Sequence, residues 1–121
     1  MNLERVLIVE DDAIIRRGLV RISRGFVRKE VIFDEADSAQ EGIKRIENAE
    51  NSYDLVLSDG LEGGWRDIYD LIKGKSSETK MIVITGTLRF IQEARNLGLE
   101  AYEKPFKIET IKEIYQRFSE K

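Results

Sequence analysis

The chain has 121 residues, enough for one domain of ordinary size. It is 41% hydrophobic and 36% charged with a formal net charge of -3, so no whole-chain excess of charge points to nucleic acid or a membrane surface. It contains neither cysteine nor histidine, which excludes disulfides, thiolate or imidazole metal ligands, His-based catalysis and a phosphohistidine role.

Short apolar runs alternate with longer amphipathic stretches. Arg5 to Val9 reads as a buried strand, and Ala13 to Arg24 as a helix with Ile15, Gly18, Leu19 and Ile22 on one face. Val31 to Phe33 predicts a second strand ending in Asp34-Glu35. Ser38 then opens a helix with Glu41 three residues on, the pattern of a capping box. Leu55 to Leu57 is a third strand, Trp65 to Ile72 a short helix and Met81 to Ile84 a fourth strand. Arg89 to Asn96 is a helix stopped by Gly98. Glu100 to Glu103 is a short fifth strand, and Pro105 opens a last helix with Ile108, Ile111, Ile114, Tyr115 and Phe118 as its apolar stripe. The longest apolar runs, such as Val6 to Val9, have strand length, so none spans a bilayer. Met1 leads straight into a strand pattern with no signal-peptide features, and a cytoplasmic protein is expected.

Five strand–helix units argue a parallel sheet with helices on both faces. No repeat, low-complexity segment or linker interrupts them, so residues 1–121 are expected to form one domain with no output domain. In an open parallel sheet, ligands bind beyond the C-terminal strand ends, at the switch in strand order. Glu10-Asp11-Asp12 follows the first strand, Asp59 the third, Thr85 the fourth and Lys104-Pro105 the fifth. Carboxylates crowded at one sheet edge repel each other, and a hard divalent cation such as Mg²⁺ with oxygen ligands relieves the repulsion. One carboxylate can then attack phosphorus, a lysine neutralise phosphate oxygens and a hydroxyl donate to one of them.

Leu7-Ile8-Val9-Glu10-Asp11-Asp12, Leu57-Ser58-Asp59, Val83-Ile84-Thr85-Gly86 and Tyr102-Glu103-Lys104-Pro105-Phe106 resemble, in order, the signature of a response-regulator receiver domain. The resemblance covers essentially the whole chain. It implies a flavodoxin-like, doubly wound (βα)5 fold with a five-stranded parallel sheet of order 2-1-3-4-5. By the same resemblance Asp59 is the phosphoacceptor. Asp11 ligates Mg²⁺ directly and Glu10 mostly through water, with Asp59 and the Leu61 carbonyl completing the protein ligands. Thr85 is the switch hydroxyl, Lys104 contacts the phosphoryl group, and the Lys104-Pro105 peptide is cis. The implied role is a phosphoacceptor that can catalyse its own phosphorylation and dephosphorylation, not an enzyme acting on a separate substrate. Its implied partners are a histidine kinase or phosphotransfer protein and a downstream protein target, engaged through the face of helix four, strand five and helix five, with no direct contact to nucleic acid or membrane.

The chain departs from the family pattern in three places. Glu62 and Gly63 stand where Met-Pro is usual, so a looser loop with an extra carboxylate is expected after Asp59. The segment from Thr85 to Lys104 is shorter than usual. The position three before the lysine, normally the switch aromatic, is Ala101, while Tyr102 lies two before it and is expected in the core or an interface. These departures motivate an alternative, a non-phosphorylated interaction module on the same fold. A haloacid-dehalogenase-type phosphatase would want Asp-x-Asp after the first strand, and a flavodoxin-like cofactor binder would want a Ser/Thr/Gly-rich loop there; neither is present. The basic run Arg16, Arg17, Arg21, Arg24, Arg28 and Lys29 reads as a solvated helix face, with partner docking beside the site as the other reading.

Overall fold

The alternating pattern is realised as a three-layer α/β structure in a computed structural model that describes residues 3–75 and 78–119. In chain order the elements are β1 (Arg5–Val9), α1 (Ala13–Arg24), β2 (Ile32–Ala36), α2 (Ala39–Asn48), β3 (Leu55–Ser58), α3 (Trp65–Gly74), β4 (Lys80–Thr85), α4 (Leu88–Asn96), β5 (Glu100–Glu103) and α5 (Ile108–Ser119). A 3₁₀ turn at Leu61–Gly63 joins β3 to α3. All strands are parallel, in the order β2-β1-β3-β4-β5, the flavodoxin-like arrangement. No helix among the described residues is long and apolar enough to cross a membrane.

Strand residues alternate between the two faces. Leu7 and Val9 of β1 and Val56 of β3 face one core, closed by Ile46 of α2, Ile68 and Ile72 of α3, and Ile91 and Ala94 of α4. Val6, Ile8, Leu55 and Leu57 face the other, closed by Leu19 of α1 and by Ile111, Ile114 and Tyr115 of α5. The Tyr115 hydroxyl donates to the buried Ser23 Oγ at 2.8 Å, which satisfies two polar groups between α1 and α5.

Two expected boundaries move. β2 runs over Ile32–Ala36, later than Val31 to Phe33, so Asp34 and Glu35 lie inside the strand. Arg5 Nη2 at 3.3 Å and the Tyr53 hydroxyl at 2.6 Å compensate Asp34, and Arg16 Nε at 2.9 Å compensates Glu35, which makes an acidic edge strand tolerable. The last helix starts at Ile108, not at Pro105. Helix ends follow the local chemistry. Asp12 Oδ1 accepts from the N–H groups of Ile14 and Ile15 at 2.9 and 3.1 Å. Ser38 Oγ accepts from Glu41 N–H at 3.1 Å, while the Glu41 carboxylate turns to Arg45 Nε at 3.6 Å, so only half of the capping box forms. α4 stops in a Schellman motif: Leu99 N–H donates to the Ala94 carbonyl and Gly98 N–H to that of Arg95, each at 3.0 Å.

Gly98 takes φ of 87°, and a Cβ there would meet nothing within 4 Å. Gly98→Ala therefore isolates the conformational cost, and chemical denaturation should show a loss of about 1 kcal/mol. Unchanged stability would remove the cap from the account of how α4 ends.

Glu100 at the start of β5 ties three elements together. It takes Lys80 Nζ of β4 at 2.9 Å, the Tyr102 hydroxyl at 2.7 Å and the Arg117 guanidinium of α5. Burial alone would raise its carboxyl, but the bonds from Arg117, Tyr102 and Lys80 outweigh it and hold it at about 2, below the ordinary 4.5. A depressed carboxyl contributes stability that is present above the unfolded value and lost as pH falls through the folded one. Stability should thus decline as pH drops from 4.5 towards about 2, and Glu100→Gln should flatten that part of a urea-midpoint titration. A Gln variant that tracks wild type across the window would exclude Glu100 as its source.

Candidate functional site

Parallel strands bring their C-terminal ends to one edge, and the register places Val9 of β1 beside Ser58 of β3 and Thr85 of β4 beside Glu103 of β5. The residues that follow converge there. Glu10 is almost completely buried, Asp59 half-buried and Asp11 exposed. One carboxylate oxygen from each of the three lies within 4.8 Å of the others. Asp59 N–H donates to the Val9 carbonyl at 2.8 Å and Glu10 N–H to that of Ala36 at 3.0 Å, so backbone pairing continues into the site and fixes both side chains.

Lys104 supplies the counter-charge. Its Nζ lies 2.7 Å from Glu10 Oε1 and 2.7 Å from Asp59 Oδ1. Burial works against the ammonium, yet its bonds to Asp59 and Glu10 prevail and push Lys104 above its ordinary value. Glu10 moves up as well, because burial outweighs the bonds it accepts from Lys104 and from Asp12 N–H. Two of the three acids share one ammonium, and net negative charge remains at the rim where Asp11 is exposed. That donor set, all oxygen and anionic, suits a hard divalent cation such as Mg²⁺.

The loop after Asp59 is a closely hydrogen-bonded turn. Leu61, Glu62 and Gly63 have φ of 51, 54 and 101°, three successive left-handed residues. Asp59 Oδ2 accepts from Leu61 N–H at 3.1 Å, and Gly63 and Gly64 N–H donate to the carbonyls of Gly60 and Leu61 at 2.8 and 2.9 Å. The Leu61 carbonyl thus already serves the turn with one lone pair. Leu61 also lines a cleft of ≈ 490 Å³ with Asp11 and Asp67 at its walls. Thr85 is buried at the end of β4, and its Oγ1 accepts from Thr87 N–H at 3.2 Å, leaving the hydroxyl hydrogen to donate. The Lys104-Pro105 peptide is cis.

Two contributors were not singled out from the sequence. Gly60 is buried against Thr85: an added Cβ would stand 2.6 Å from Thr85 Oγ1 and 2.9 Å from Phe90 Cδ2. The only hint was a glycine directly after the acid. Arg16 is tucked inward, its Nη1 donating to the Glu10 carbonyl at 2.9 Å and its Nε to Glu35, so it leaves the solvated basic face assigned to it. Arg17, Arg21, Arg24, Arg28 and Lys29 are exposed as that reading expects.

β5 settles where its aromatic points. Ala101 is buried on the α2–α3–α4 face, whereas Tyr102 packs on the α1–α5 face. The Tyr102 hydroxyl is held by Glu100 and by Arg117 Nη2 at 3.2 Å.

Comparison with known proteins agrees with this geometry. A family model described as the response regulator receiver domain matches residues 6–116. Over 86 residues the chain is 36% identical to the acid tolerance regulatory protein ActR of Rhizobium meliloti (strain 1021), covering 67% of this chain and 40% of that protein. It therefore spans less than half of that relative's length. The crystal structure of a CheY-like response regulator receiver domain protein from Methanospirillum hungatei JF-1 matches with a TM-score of 0.73 at 29% identity, over 98% of both chains. A response regulator from Colwellia psychrerythraea shares the fold at a TM-score of 0.75 and 20% identity, over 98% of each chain. Receiver domains are generally non-enzymatic signalling modules that bind Mg²⁺ at an acidic pocket and interact with histidine kinases or phosphotransfer proteins and with downstream effectors. By its matched length, its strand order and its acidic sheet edge, this chain belongs to the response-regulator receiver family.

Proposed function

We propose that the chain is a cytoplasmic phosphorylation-dependent switch in which Asp59 accepts a phosphoryl group from a histidine kinase or phosphotransfer protein. The carrying observation is Lys104 Nζ, set 2.7 Å from both Asp59 and Glu10, with an Asp11 oxygen within 4.8 Å of both acids. A carboxylate nucleophile, a mobile cation and further oxygen donors are then held in one place. Phosphoryl transfer asks chiefly for such positioning and charge neutralisation.

An Asp59 oxygen attacks phosphorus as the bond to the donor breaks, and an acyl phosphate forms. Lys104 turns from the two carboxylates to a phosphoryl oxygen, and the Thr85 hydroxyl donates to another. Glu10, Asp11, Asp59 and the Leu61 carbonyl would hold Mg²⁺, which screens the charge of the incoming group. The new contacts favour a second arrangement of the α4–β5–α5 face, which a partner protein reads. A second reading, an interaction module on the same fold that takes no phosphoryl group, is favoured by the small Ala101 at the usual aromatic position.

Acetyl phosphate with Mg²⁺ should add one phosphoryl group to the wild type in intact-mass spectra, and Asp59→Asn should abolish the addition. Equal labelling of the two proteins would move the acceptor elsewhere, and no labelling of the wild type would leave the second reading standing.

Lys104→Met removes the counter-charge and leaves three acids to repel one another. In Mg²⁺-free buffer it should lose about 2 kcal/mol, less than a fully buried pair because the site is partly open. Mg²⁺ should then raise its melting temperature by more than that of the wild type. A variant that melts with the wild type and ignores Mg²⁺ would contradict the electrostatic account.

A further inference from the structure

We propose that Phe90 of α4, in place of an aromatic on β5, is the positioning residue that carries the state of the Thr85 hydroxyl into α4. The inference rests on Asp59 being the phosphoacceptor. β5 lacks the means. Ala101 faces α4 but has no ring, and Tyr102 has a ring but lies on the opposite face, fastened to Glu100 and Arg117.

Phe90 occupies the junction that β5 leaves open. The space a Gly60 Cβ would fill lies 2.6 Å from Thr85 Oγ1 and 2.9 Å from Phe90 Cδ2, so the hydroxyl, the backbone after Asp59 and the ring edge share one tightly packed spot. A Cβ on Gly63 would lie 4.0 Å from Phe90 Cζ, so the ring runs along the turn from one glycine to the other. The ring is buried, and it meets Trp65 edge-on at 6.3 Å between centroids. The Arg66 guanidinium sits 5.1 Å from the Phe90 ring centroid and grips Glu93, further along α4, with bonds of 2.6 and 2.5 Å.

Thr85 is thus linked to α4 twice. Its Oγ1 accepts from the N–H of Thr87, the residue before the helix, and it shares the Gly60 spot with the ring of Phe90 in the first turn. A donor bond from Thr85 to a phosphoryl oxygen draws the hydroxyl away from both. Close-packed groups respond by discrete rearrangement, not by continuous deformation. The ring follows the space that the hydroxyl gives up. Because Arg66 and Glu93 join α3 to α4, the motion is passed along α4 as a unit.

The test uses the full chain with beryllofluoride and Mg²⁺ as probe, read by amide chemical-shift changes over residues 86–97. Acetyl-phosphate labelling is followed in parallel by intact mass. Phe90→Leu keeps an apolar side chain of similar bulk without a ring. It should still gain one phosphoryl group but lose most of the α4 shift changes. Phe90→Tyr should retain them, as should Tyr102→Phe. A purely structural Phe90 would lower the melting temperature of Phe90→Leu and leave its ligand response at the wild-type size, which overturns the proposal. Loss of the response in Tyr102→Phe overturns it as well. A wild type that takes no phosphoryl group overturns the assignment of Asp59 and this inference together, whereas a labelled wild type with an unaltered Phe90→Leu response overturns this inference alone.

Discussion

A single ammonium held between two carboxylates governs the C-terminal edge of the sheet. Glu10 leaves β1, Asp59 leaves β3 and Lys104 leaves β5, and Lys104 Nζ reaches both acids at 2.7 Å. Without that contact, Glu10, Asp11 and Asp59 would crowd three like charges into a few ångströms at the partly desolvated end of the sheet. The arrangement is stable and also poised. A salt-bridged lysine is a point charge on a flexible stem, able to exchange one anion for another. The exposed Asp11 leaves negative charge uncompensated on the other flank.

The surroundings of Asp59 are built for close approach. Gly60 lets Thr85 and Phe90 pack directly against the backbone after the acid, which no side-chain-bearing residue would permit. Leu61 and Glu62 then adopt left-handed backbone, a conformation that costs on the order of 1–2 kcal/mol for each residue other than glycine. The hydrogen bonds from Leu61, Gly63 and Gly64 hold the turn in that shape. Strain kept in place by surrounding contacts is a recurring feature of functional loops. The turn in turn seats the buried Trp65 at the start of α3.

The strict two-sided alternation of a strand decides which face of the sheet each residue of β5 occupies. Ala101 and Tyr102 are neighbours in sequence and lie on opposite faces of the sheet. Tyr102 is drawn into the knot of Glu100, Lys80 and Arg117, which fastens β5 to β4 and α5. The α4 side of the sheet is left with an alanine there. Only the dipeptide Gly86-Thr87 separates β4 from α4, so α4 begins close to Thr85 and its own first turn supplies the aromatic ring beside the hydroxyl.

Much of this was legible in the sequence because it depends on local periodicity and on the order of motifs. Apolar runs and amphipathic stretches determined five strand–helix units, and the acids, threonine and lysine placed after the strands determined which side chains would gather at one edge. Ser38 and Gly98 declared their helix ends through side-chain chemistry and backbone freedom. The one-residue offset of Tyr102 was countable as well, since a strand reverses its facing at every step. The span of β2 was not, because pairing with β1 and charge compensation from Arg5, Tyr53 and Arg16 admit acidic residues that a hydrophobicity pattern rejects. Nor could any pattern reveal that Gly60, Thr85 and Phe90 share one packed spot, or that Arg16 turns inward to the Glu10 carbonyl. Those contacts join residues distant along the chain, and only the stacking of helices on the sheet sets the distances between them.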